Sequence, residues 1–173
     1  MREKSPEERP ESRTRYYWER VREHGKRYKN FEWPSVELTL SLIHLYDLLS
    51  TRLARKMSEY ELSLSAFNVL MILSRSKEGG LKQSRISELL LVSRANMTGL
   101  VDSLVRRGFV QRTQSKEDRR ASVIRLTRKG TDALEKMLPD HYAMVSSFFG
   151  GLGPSEKEKL SALLAKVRKQ FGE

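Results

Sequence analysis

Residues 93–130, SRANMTGLVDSLVRRGFVQRTQSKEDRRASVIRLTRKG, decide how this chain is read. Ser93 is a helix N-cap by residue type, and Met97, Leu100, Val101, Leu104 and Val105 recur behind it at helical spacing. The spacing predicts a helix over 93–107, and Gly108 stands where a left-handed C-terminal residue belongs. Phe109–Thr113 then reads as a strand, residues 114–121 as a charged tip, and Ser122–Leu126 as the returning strand. Immediately upstream, Gln83–Leu90 predicts a short helix with Ile86, Leu89 and Leu90 facing inward, joined to the next by a turn at Leu91-Val92. Two helices separated by so short a turn form a helix-turn-helix, and a hairpin directly after the second makes it a winged one.

Working outward, residues 1–14 are charged, contain two prolines and lack apolar periodicity, so they read as a disordered tail. Residues 15–34 form an N-terminal extension: a short helix broken near Gly25, then Trp33-Pro34, an extended connection because proline disfavours helical geometry in the residue before it. Ser35–Glu61 carries Val36, Leu40, Ile43, Leu45, Leu48, Leu49 and Leu53 with no glycine or proline, a long helix with more apolar surface than one small lobe needs. Ser63 caps a helix over Leu64–Arg75. After the hairpin, Thr127 caps a helix from Arg128 to about Phe149, with Pro139 inside as a kink. Ser155 and Glu158 form a capping box for a last helix to about Phe171. The expected fold class is mainly α with a small β-hairpin wing.

The net charge is +11, and its placement matters more than its size. Residues 82–130 hold 12 basic and 4 acidic side chains, whereas 35–81 and 131–173 are each balanced. A basic block concentrated on the predicted helix pair and wing is the electrostatic footprint of a polyanion binder. The exposed first turn of the 93–107 helix supplies Ser93, Arg94, Ala95 and Asn96, with Thr98 beyond them. Arginine can grip guanine, asparagine adenine, and a small alanine meets a thymine methyl in the major groove. Gln83 and Arg106 flank this surface as further DNA-facing candidates. On the tip, Lys116, Arg119 and Arg120 suit the negative potential of a narrow minor groove, and Asp118 pairs with Arg120 to stiffen the wing.

The run Asp118-Arg119-Arg120-Ala121-Ser122-Val123-Ile124-Arg125-Leu126-Thr127-Arg128-Lys129-Gly130 resembles the wing signature of the MarR family of regulators: Asp-x-Arg, an apolar strand, then Leu-Thr-x-x-Gly. Ile86-Ser87-Glu88-Leu89 and Ser93 through Val110 are similar to that family's helix pair, and the resemblance extends over about residues 36–171. Leu91 stands in a turn where many members have glycine. The resemblance implies a winged helix-turn-helix DNA-binding lobe at 63–127 and a helical dimerisation region at 35–62 and 128–173. It implies a homodimer on a palindromic operator, its reading helices about 34 Å apart on double-stranded DNA. A ligand-responsive repressor is the function implied. A small aromatic or anionic effector would sit between dimer helices and lobe, with Trp18, His44, Asp47, Phe67 and Met71 as candidate ligand-binding residues. The N-terminal extension and the Leu138-Pro139-x-His141 segment resemble the urate-responsive branch. Trp18 matches that branch's tryptophan, while Asn68 and Leu100 replace its aspartate and arginine.

Other classes fare poorly. The three histidines, His24, His44 and His141, fall on different predicted helices without metal-ligand spacing, and the chain has no cysteine, so neither a metal site nor catalysis is expected. No cofactor motif appears, since Gly150-Gly151-Leu152-Gly153 ends a helix rather than linking a strand to one. No membrane span or secretory signal is read, so a cytoplasmic protein is expected. The alternatives to a sequence-specific regulator are a non-specific DNA-architectural protein and a winged-helix adaptor for protein contacts.

Overall fold

The computed structural model of the protein describes residues 10–77, 79–90, 93–114 and 122–172. The chain divides into two compact units, Met1–Thr51 and Arg52–Glu173.

In the first unit, helix α1 spans Pro10–Gly25. It begins earlier than expected, so residues 10–14 belong to the helix rather than to a tail. Tyr28 N–H bonds to the Gly25 carbonyl at 2.9 Å and Phe31 N–H to the Tyr28 carbonyl at 3.1 Å, reversing the chain. The Phe31 ring lies where a Cβ on Gly25 would sit, 2.1 Å from it, which is why the turn needs glycine. Helix α2, Trp33–Ser58, starts two residues ahead of the sequence expectation. Trp33-Pro34 is not an extended linker: proline is tolerated in the first turn, where its missing N–H has no intrahelical partner to lose. The Ser35 hydroxyl donates to the Glu32 carboxylate and supports this start.

The second unit holds the hydrophobic core, Met57 to Met137. Glu61 adopts a left-handed φ of 57° after α2. Helix α3, Leu64–Ser74, then follows, with the Ser63 hydroxyl accepting from Ala66 N–H as predicted. Six of its eleven residues are buried, so α3 is the central rod on which the lobe packs. Strand β1 is Leu81–Lys82, helix α4 Gln83–Leu90 and helix α5 Arg94–Arg106. Ile86 is fully buried, but Leu89 is 47% exposed and does not face inward. Strands β2, Val110–Gln114, and β3, Ser122–Leu126, pair antiparallel with Val110 opposite Leu126 and Gln114 opposite Ser122. β1 adds a third strand on the far side of β3, Leu81 opposite Ile124, an element too short to show periodicity.

Helix α6, Arg128–Phe148, runs through Pro139 and carries the Thr127 cap. Its Asp140 accepts from Lys56 Nζ at 2.8 Å and from the Tyr60 hydroxyl at 2.9 Å, anchoring the end of α2. Those two donors hold the Asp140 carboxyl below its ordinary pKa. Helix α7, Pro154–Arg168, begins ahead of the expected box. The capping carboxylate is Glu156, which accepts from Gly153 N–H at 2.7 Å, rather than Glu158 answering Ser155. Proline at the first helical position fixes the register. A 3-10 turn, Lys169–Phe171, ends the described chain.

Candidate nucleic-acid interface

Helix α5 divides cleanly into two faces. Met97, Val101 and Leu104 are essentially inaccessible and pack into the core, with Leu100 and Val105 half-buried beside them. Ala95, Asn96, Thr98 and Gly99 lie exposed on the first turn and a half. The Ser93 hydroxyl accepts from Asn96 N–H at 3.3 Å, so the cap predicted from sequence is made. The exposed helix start therefore offers backbone N–H groups and a positive dipole end to an anion. Arg94 opens the helix; its side chain lies outside the described residues.

One side of α5 is tied to its neighbours. Gln83, at the start of α4, donates from Nε2 to Thr98 Oγ1 at 2.9 Å. Arg112 of β2 donates from Nη1 to Asp102 Oδ1 at 2.5 Å and from Nη2 to Gln83 Oε1 at 3.2 Å. Arg112 stands opposite the fully buried Ile124 in the ladder, so it leaves the sheet on the face that packs against the helix pair. Sequence reasoning assigned Gln83 and Thr98 to DNA, whereas both side chains are bonded within the protein. It missed Arg112 altogether. The available signal was weak: an acidic residue four positions after Thr98 with a cation on the following strand.

The wing rests on a compact root. Thr127 Oγ1 donates to the Gly108 carbonyl at 2.6 Å, accepts from Gly130 N–H at 3.0 Å, and Thr127 N–H bonds to the Phe109 carbonyl at 3.1 Å. Gly108 has φ +73°, the left-handed residue expected there. The Arg107 guanidinium and the Lys129 ammonium lie over the Phe109 ring, 4.9 and 5.1 Å from its centre. Arg107 also donates to the Glu61 carbonyl at 2.6 Å, which makes it a structural cation, whereas Arg106 is exposed. The tip candidates Lys116, Asp118, Arg119 and Arg120, and the Asp118–Arg120 pair, lie outside the described residues.

The five candidate ligand residues separate into groups. In the first unit, Trp18 and His44 line one cavity of about 750 Å³, together with Arg22, Trp33 and Glu37. Asp47 is exposed on α2 and is not among the residues lining that cavity. In the second unit, Phe67 is 1% exposed and Met71 9%, both in the hydrophobic core. Phe67 packs against the imidazole of His141 with ring centres 4.8 Å apart. Burial, and then the nearby Arg75 charge, push the His141 pKa below its ordinary value. Among the described residues no group of acidic or histidine side chains is arranged to hold a metal, and no helix is long and apolar enough to cross a membrane.

A buried-backed second helix with an open polar face, a hydroxyl-capped start and a three-stranded sheet rooted at its C-terminus define a winged helix-turn-helix DNA-binding protein. The profile of the MarR family matches residues 62–122. Over 150 residues, 87% of this chain and 90% of the relative, the sequence is 31% identical to the HTH-type transcriptional repressor YetL of Bacillus subtilis (strain 168). The fold is similar to the crystal structure of AbsC, a MarR family transcriptional regulator from Streptomyces coelicolor. That likeness has a TM-score of 0.77 at 21% identity and covers 84% of this chain and all of that one. It is similar as well to Sco3205 of the same organism, a MarR family regulator solved in complex with DNA, at a TM-score of 0.76 and 21% identity, over 83% and 91% of the two chains. The chain belongs to the MarR family and is a transcriptional regulator.

Proposed function

We propose that the protein is a homodimeric repressor that reads a palindromic operator in the cytoplasm and releases it in response to a small aromatic or anionic effector. The open first turn of α5 carries this reading: Ser93, Arg94, Ala95, Asn96 and Thr98 meet base edges and phosphates in the major groove. Gln83 and Arg106 flank them, and Lys116, Asp118, Arg119 and Arg120 form the minor-groove end of the wing. The lobe at 63–127 is the DNA-binding part, and the helices at 35–62 and 128–173 hold the second copy.

The second copy is supported by apolar side chains left in water on a lone chain. In the first unit Leu38 is 65% and Tyr46 69% exposed on α2, and in the second unit Leu163 of α7 is 62% exposed. Large apolar side chains left exposed on each unit are candidates for cover by a partner surface. The repressor sense is supported by the relative at 31% identity, itself a repressor. Footprinting on the DNA flanking the protein's own gene, with the mass in solution measured by light scattering, tests the reading. A dimer protecting two symmetric half-sites about one helical turn apart is expected. A monomer, or protection without sequence preference, would overturn it.

The effector part has its own test. The chain has two tryptophans, Trp18 and Trp33, and both line the 750 Å³ cavity of the first unit. Intrinsic fluorescence therefore reports directly on that cavity. Titration with an aromatic carboxylate should quench it and weaken operator binding together; quenching without loss of binding would remove the cavity from the response.

A further inference from the structure

The side chains that join α5 to the wing do more than fill space. Thr98 and Asp102 are four residues apart and so lie on one face of α5, a turn from each other. Gln83 reaches the first at 2.9 Å and Arg112 the second at 2.5 Å, and the two reaching groups are themselves bonded at 3.2 Å. The result is a continuous chain of hydrogen bonds, Thr98–Gln83–Arg112–Asp102, linking the start of α4, two successive turns of α5 and the middle of β2. Both amide atoms of Gln83 and both terminal nitrogens of Arg112 are used in it. The Asp102 carboxylate would repel a DNA phosphate if it stood alone. Paired with Arg112 through a charge-assisted bond, it becomes an anchor.

We propose that Arg112 is a positioning residue rather than a DNA contact: through Asp102 and Gln83 it fixes the root of the wing to two turns of α5. In doing so it sets how sharply α5 discriminates between base sequences. The inference rests on the reading that α5 meets base edges. Bidentate base contacts demand side chains held to within about 0.5 Å. A helix free to rock against its wing still binds phosphates, because charge tolerates displacement, but it loses the difference between right and wrong bases. The planar fork of arginine holds two acceptors in fixed geometry, and the single ammonium of lysine does not.

The test uses the full-length protein and a duplex that it selects from a random library, compared with an unselected duplex over a range of salt concentrations. For Arg112→Ala, the ratio of the two affinities should fall about tenfold, the size of one lost base contact, with the salt slope unchanged. Arg112→Lys should keep the ion pair, lose the Gln83 link and give an intermediate ratio. Asp102→Asn preserves volume and guards against misfolding of the alanine variant. It should lower the ratio while leaving affinity for the unselected duplex the same or higher. Equal losses on both duplexes with a salt slope lower by about one would make Arg112 a phosphate contact and overturn the proposal. An unchanged ratio in Asp102→Asn would overturn it as well. Failure of the unsubstituted protein to select any duplex would instead refute the reading of α5, and the positioning role with it.

Discussion

Gly130→Ala is the substitution for which helix propensity and packing predict opposite signs. Gly130 lies in the first turn of α6, where alanine should stabilise an exposed helix by up to about 1 kcal/mol. Here, however, a Cβ would sit 2.0 Å from the Phe109 carbonyl oxygen and 3.2 Å from a Leu126 methyl. Real Cβ contacts do not fall below 3.0 Å, so α6 and the wing root must part by about 1 Å. That carbonyl also accepts from Thr127 N–H at 3.1 Å, a bond that stretches when it moves. One weakened hydrogen bond costs about 1 kcal/mol, and forcing a methyl into a packed site costs about 1–3 kcal/mol. After the propensity gain, the net loss is roughly 1–3 kcal/mol. At about 3 °C per kcal/mol for a chain of this size, the melting temperature should drop by roughly 3–9 °C. Thermal and urea unfolding of the purified variant measure this. An unchanged or raised melting temperature would refute the claim that α6 is seated against the Phe109 backbone.

Further expectations concern single sites. Gly99 is exposed on α5, with no neighbouring atom within 4 Å of where a methyl would project, so it should accept alanine with a gain of about 0.5–1 kcal/mol. The same Gly99→Ala should weaken binding to the selected duplex if the α5 backbone approaches DNA; unaltered affinity counts against that approach. Ser87 carries a buried hydroxyl without a hydrogen-bond partner among the described residues, so Ser87→Ala should be neutral or stabilising by up to about 1 kcal/mol in urea unfolding. His141 is held neutral by burial and by Arg75, its pKa lying below the ordinary 6.5. Its contribution to stability is therefore complete above that value and is lost as pH falls through the lowered folded pKa. The melting temperature should decline as pH falls below the ordinary 6.5, and His141→Phe should flatten that part of the curve. Asp140, whose pKa is below the ordinary 3.8, titrates in a lower window and leaves this one clear.

The winged lobe was legible because each of its signals has a local cause. Hydroxyl caps at Ser63, Ser93 and Thr127 are made as read, since a cap needs only one side chain and the next three backbone groups. Gly108 is likewise a local requirement of φ. What failed depended on neighbours in space or on competition between adjacent signals. The Trp33-Pro34 boundary moved because proline both ends and begins helices, and its role depends on which side has the hydrogen bonds. The last helix started at Pro154 rather than after Ser155 for the same reason. Strand β1 exists only because β3 lies alongside it. Leu89 was placed inward by spacing alone, but a two-turn helix has too narrow a buried face for all three apolar residues. Arg112 was invisible because its partners are 10 and 29 residues away in sequence.

The two clusters around α5 constrain how any signal from the rest of the molecule could reach DNA. At the C-terminal end, Thr127 and Gly130 lock α6 to the Gly108–Phe109 backbone. Alongside, Arg112 locks β2 to α5 and α4. Packed elements with such close backbone contact behave as one body, because opening them costs several kcal/mol before any compensating contact forms. The first ten residues of α6, up to Met137 at 1% exposure, therefore move with α5. Pro139 follows two residues later and offers no N–H to the Glu135 carbonyl, the one interior position of α6 where the backbone ladder is chemically interrupted. Beyond the proline, the Asp140 anchor, the His141–Phe67 contact and the 2.9 Å bond from Arg75 to the Tyr142 hydroxyl hold residues 140–142 against the same unit. The rigid surroundings of α5 therefore extend along α6 past the interrupted hydrogen bond, as far as Tyr142.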